Sequence, residues 1–199
     1  MQTIEVRTPP PEAVDYVRAL HADVRSWYAN AEDKGQHILT FDGVFIAFIS
    51  GSLFAKRSDL NELTANFGFD TWAMLAAMAV FMALSVVCAE LCLWSRHYLP
   101  WTLSRKLREA HVDVADARTY SPEFLWFFQH IHHLDRSQLV IRLATMDGDS
   151  ELTALVTNSH ALASNVTQKH WLVNFGFAFA GAALLAFLGA ALSYLVHST

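Results

Sequence analysis

Several side chains in this sequence have the type and spacing to do chemistry. "QHIHHLDR" places His130 and His133 on one face of a helix, with His132 beside them, as a metal-binding pair would stand. Zinc needs three or four ligands, and no cysteine or His-Glu partner follows at a regular spacing. The histidines therefore read as residues of a polar helix face, and no metal or other cofactor is expected. Cys88 and Cys92 lie one helical turn apart, a poor geometry for a disulfide, and read as small packing residues. Arg25, Trp27, Tyr28, Asp33, Lys34, Arg136 and Lys169 are the best stock for a soluble ligand. Arg and Lys can take a phosphate and aromatic rings can stack on a base, although each is equally at home on a solvated helix face. The phosphate-binding glycine loop, the G-x-S-x-G elbow and H-E-x-x-H are all missing, so catalysis is not expected.

What must position these groups is read from the hydrophobic pattern. Apolar residues make up 53% of the 199 positions and charged residues only 17%. The charges are unevenly spread: windows 38–55, 72–94 and 171–196 are nearly free of them. Each reaches the length a helix needs to cross about 30 Å of hydrocarbon, and none has the polar face of a soluble bundle helix. Three transmembrane helices are expected. Residues 1–30 show no apolar core of a secretory signal, so the first span is expected to stay as an anchor. Twelve of the 14 Lys and Arg residues fall in 1–37 and 95–170, which puts those segments on the cytoplasmic side and the C-terminus outside.

The organisation expected is therefore an N-terminal cytoplasmic helix over 1–37, a span at 38–55, an external loop at 56–71, a span at 72–94, a cytoplasmic domain at 95–170 and a span at 171–196. After "TPPP", Val14, Val17, Leu20 and Val24 recur at helical spacing and no stop precedes the first span, so 11–55 reads as one rod. Leu152, Leu155, Val156, Ser159, Leu162 and Val166 make a second amphipathic stretch feeding the third span, after a break at Asp147-Gly148. Two of the spans would thus continue into cytoplasmic helices that pack on each other as a stalk. Between Pro100 and Pro122 the chain reads as irregular, with a β-prone alternation in "HVDVAD" that suits a short strand pair. "EFLWFFQHIHHL" and "RSQLVIRLATM" read as short helices.

Polar groups within the spans are the expensive ones. Asp42, Glu90 and Asn174 stand at similar depth near the inner interface, either reaching interfacial water or forming a polar ring that admits water and ions. Ala178, Ala182, Ala186 and Ala190, flanked by Gly181, Gly189 and Ser193, give the third span a small-residue face for close helix approach, within the chain or with another copy.

"YANAEDKGQHILTFDGVFIAFISG" resembles the transmembrane effectors of Pycsar anti-phage systems. The resemblance is carried by Asp33-Lys34, then Leu39 and Asp42-Gly43, with Gly35 where an alanine is usual. "WFFQHIHHLDRSQLVIRL", "NSHALASNVTQKHWLV" and the "YLP" after the second span extend it over most of 20–196. A third span goes beyond the minimal two-span description of such effectors. The resemblance implies a homo-oligomeric protein of the bacterial inner membrane, silent until infection. A cytoplasmic cyclic CMP or cyclic UMP would then activate it to impair the lipid bilayer and halt growth. It implies no polymeric nucleic acid as partner. Two other readings stay open: a small oligomeric channel gated by tension or by pH, and a membrane scaffold that binds a protein.

Overall fold

The computed structural model describes residues 10–55, 64, 67–94, 105, 107–125 and 128–197. Most of the 56–71 loop, the "YLP" element and Trp126-Phe127 lie outside them. The described residues form helices and turns with no strand. Helix α1 spans Pro11–Ala55, α2 Phe69–Leu93, α3 Phe128–His133, α4 Arg136–Ala144 and α5 Gly148–His197, with single 3-10 turns at Ala117–Thr119 and Pro122–Leu125. Two helices among the described residues are long and apolar enough to cross a membrane, Phe69–Leu93 and Gly148–Val196. Only 17% and 22% of their most apolar windows are buried, whereas the core helix of a soluble protein would be mostly covered.

The chain divides into two compact units, Met1–Tyr28 with Ser95–Val166, and Ala29–Trp94 with Thr167–Thr199. In the first unit the buried stripe of α1, Val14, Val17 and Val24, and that of α5, Ala154, Leu155 and Val166, supply much of the core. Arg18 grips Glu151 with two hydrogen bonds, from Nε at 2.6 Å and from Nη2 at 2.8 Å. Further along, His21 Nδ1 meets Ser159 Oγ at 3.1 Å, so both helices advance in the same direction here. A second cluster buries Tyr120, Leu125 and Leu134. Arg142 Nε ties it down by donating to the Tyr120 carbonyl at 2.9 Å.

The alternation in "HVDVAD" does not make a strand pair. His111 takes a left-handed φ of 54°, and the Val112 N–H returns to the Leu107 carbonyl at 3.0 Å, ending the preceding helical turn. Asp113 and Asp116 then accept from the backbone N–H of Ala115 and Arg118, both at 2.9 Å. These local side-chain bonds turn the backbone where a ladder would need it extended. The same chemistry sets two helix starts. Asp135 Oδ1 accepts from Ser137 and Gln138 N–H at 2.9 and 3.1 Å at the head of α4, and Asp147 accepts from Ser150 N–H at 2.9 Å at the head of α5.

In the second unit α2 runs antiparallel to α1 and α5. Thr71 near its start meets Ser193 (2.9 Å), Ser85 meets Gly176 (3.1 Å), and Cys92 at its end meets Ala31 (3.5 Å). The small-residue face of α5 is split. Ala186, Ala190 and Ser193 turn toward the bundle, while Ala178 and Gly181 lie open.

Burial, and then the charge of Arg25, hold the His21 imidazole below its ordinary value of 6.5. The neutral ring is the form that fits beside Ser159, so its contribution is complete above that value and is lost as pH falls through the lowered native one. Amide exchange across 14–24 and 151–160 should therefore quicken, beyond the intrinsic chemical effect, between about pH 7.5 and about pH 5. His21→Gln should remove most of that difference.

Candidate functional site

The sequence candidates separate once the helices are in place. In the first unit, Arg25 and Arg136 are exposed, Trp27 is half-exposed and Tyr28 is partly buried. In the second, Asp33 and Lys34 are exposed on α1, one turn from buried groups. Lys169 is different. It is 7% exposed, and its ammonium donates to Glu32 Oε1 at 2.8 Å and to the Cys92 carbonyl. Its place on α5 just before the third apolar window, and that of Cys92 in the last turn of α2, account for this. A helix leaves its last carbonyls without intrahelical donors, and a cation there meets both the orphan oxygen and the negative end of the dipole. One lysine thus joins α1, α2 and α5.

Seven residues further along α5, Gly176 makes room for a close crossing. A Cβ at that position would stand 2.9 Å from Ile38 Cδ1 and 3.6 Å from Cys88 Cβ. Ser85 uses the same approach to donate to the Gly176 carbonyl at 3.1 Å. Asp42 lies at this level with no exposed surface. Ser85 is the polar neighbour beside it, but with its proton committed to Gly176, neither carboxylate oxygen of Asp42 receives a hydrogen bond among the described residues. Glu90 and Asn174 are exposed on the outer faces of α2 and α5, so the structure does not gather the three polar groups into one site. Between the Lys169 and Asp42 levels, Ile38, Ala89, Cys92 and Val173 form a closed apolar cluster.

Among the described residues no three His, Cys, Asp or Glu side chains come together as metal ligands. The His130 ring packs on Phe124, centroids 4.6 Å apart, and His132 stands edge to face with His133 at 5.5 Å. What sequence reasoning missed is the pairing of Glu32 with Lys169. They are 137 residues apart, and the only signal available was two ionisable residues each a few positions outside an apolar window.

Two apolar helices whose large side chains face outward, with α1 packed beside them, mark a helical membrane protein. The chain belongs to the family described as the Pycsar effector protein domain, whose model matches residues 16–196. Membership makes it an effector of anti-phage defence. No curated protein and no solved structure matches it.

Removing Lys169 leaves Glu32 and the α2 terminus without their donor. Lys169→Met should lower stability by about 2 kcal/mol or more, less than a fully buried pair because a third of the Glu32 side chain is exposed. Thermal melting in detergent checks this, and Glu32→Met on top of Lys169→Met should recover part of the loss.

Proposed function

We propose that this effector is switched on by a cytoplasmic cyclic pyrimidine nucleotide, cyclic CMP or cyclic UMP, and then makes the inner membrane leak, which halts the growth of the infected cell. The observation that carries the reading is the family match over residues 16–196. In this reading residues 38–55 of α1 form a third span beside the two apolar helices. The N-terminus and 95–170 are cytoplasmic, and the C-terminus faces out, in keeping with the distribution of Lys and Arg. The antiparallel course of α2 against α1 and α5 supports an in-out-in-out path.

Ligand contact falls to the cations and aromatics of the first unit, Arg25, Trp27, Tyr28 and Arg136, while Asp33 and Lys34 are positions of the family motif. Guanidinium and ammonium groups suit a cyclic phosphate, and a half-exposed indole suits a pyrimidine face. Lys169 is already committed to Glu32 and to the α2 terminus, so its role is to hold the helices and not to bind. Helices α1 and α5 each run without interruption from one unit into the other, which gives a nucleotide on the cytoplasmic side a covalent path to the spans. Copies of the chain associate through the outward apolar faces. A ligand shifts such an assembly only by its differential affinity for the two states, and about 1.4 kcal/mol of difference is a tenfold shift.

Cells expressing the protein should stop growing and admit a membrane-impermeant dye when supplied with cyclic CMP or cyclic UMP, and should ignore cyclic AMP. Arg25→Ala with Trp27→Ala should raise the nucleotide concentration required by about tenfold. Leak from purified protein in liposomes that no nucleotide alters would instead favour a channel gated by tension or pH. No leak under any condition, with a protein partner bound, would favour a scaffold.

A further inference from the structure

We propose that ions cross along a polar seam inside the three-helix bundle of the second unit, and that Asp42 makes this path select cations over anions. The inference rests on the leak proposed above and assigns it a route and a selecting group. Among the described residues the buried polar side chains are Asp42, Thr71, Ser85, Ser159 and Lys169, and all but Ser159 lie in this bundle. With their partners they fall at three levels, in matching order along α2 and α5, α1 contributing to the first two. Glu32, Cys92 and Lys169 make the first, Asp42, Ser85 and Gly176 the second, Thr71 and Ser193 the third. At 1.5 Å per residue along α2, Cys92 and Ser85 are roughly 10 Å apart and Ser85 and Thr71 roughly 21 Å. The seam thus covers about the thickness of the hydrocarbon core.

The three levels differ in charge. Lys169 has Glu32 as its counter-charge, and the Thr71–Ser193 pair is neutral. Asp42 has no counter-charge, no exposed surface and no hydrogen bond to either carboxylate oxygen among the described residues. It is a poor structural choice, because an apolar side chain of similar volume would fill the same space without the desolvation penalty. The packed bundle keeps this group dry, since Ile38, Ala89, Cys92 and Val173 close the seam between Lys169 and Asp42. Parting of the helices at that plug wets Asp42. A carboxylate in a narrow path with low-dielectric walls then concentrates cations and repels anions.

The test is the reversal potential of the full chain in planar bilayers under a KCl gradient, with cyclic CMP or cyclic UMP added. The wild-type current should reverse close to the potassium potential. Asp42→Asn, which keeps the shape and removes the charge, should lower the potassium-to-chloride permeability ratio by about tenfold, and Asp42→Glu should retain the preference. An unselective or anion-selective wild-type current overturns the inference while the leak reading stands. So does an Asp42→Asn current with the wild-type ratio. Where Asp42→Asn fails to insert, Asp42→Ser takes its place in the same comparison, with the same two outcomes. No wild-type current, with either nucleotide or without, overturns the leak reading and this inference together.

Discussion

The second unit is organised around the Lys169 ammonium. The last carbonyls of α2 lack intrahelical donors, and the packed interior offers no solvent to a lone cation. Each problem answers the other. The lysine of α5 gives one donor to the Cys92 carbonyl and another to Glu32 of α1, fixing three helices at a single point. Moving α5 by one residue would carry Lys169 off the α2 terminus, and would bring a side chain larger than glycine to the Gly176 crossing, where Ile38 already stands 2.9 Å from an added Cβ. The ion pair and the glycine therefore specify the same register by independent means, one electrostatic and one steric.

From that register the distribution of surface follows. The faces of α1, α2 and α5 that meet carry small and weakly polar groups, Ala89, Ser85, Ala183 and Gly176, which allow close approach and local hydrogen bonds. The large apolar side chains, Phe48, Val80, Leu84, Leu185 and Leu192, point away from the bundle. A water-soluble protein would invert this arrangement, because burying large apolar groups is its main driving force. In lipid that force is absent between helices, and packing of small residues takes over.

Much of this was legible in the sequence, for reasons that can be named. The continuity of α1 was visible because its apolar stripe passes into the apolar window with no proline between, and a lone Gly35 is too small a penalty to stop it. The break before α5 was visible because Asp147-Gly148 is a helix-start dipeptide and the structure uses Asp147 as the cap. "HVDVAD" misled because alternation reports which side chains could share a sheet face, while Asp113 and Asp116 were free to bond their own backbone. Asp42, Glu90 and Asn174 looked equivalent because depth follows from position along a helix, whereas burial depends on the angle around it. That angle is fixed by partners more than forty residues away. The pairing of Lys169 was hidden for the same reason: nothing local announces that a carbonyl and a carboxylate await it.

The two long helices are held to each other differently in each unit. In the first unit α1 and α5 are joined by Arg18–Glu151 and His21–Ser159, and in the second by Glu32–Lys169. The Lys169 contact also holds the end of α2, through the Cys92 carbonyl. Exposed ion pairs such as Arg18 with Asp15 contribute little. The Lys169 contact is harder to give up, because the ammonium is left buried without its counter-charge when it breaks, although a third of the Glu32 side chain is exposed. The ion pairs of the first unit are partly exposed, whereas the ammonium of the second is enclosed by its bundle.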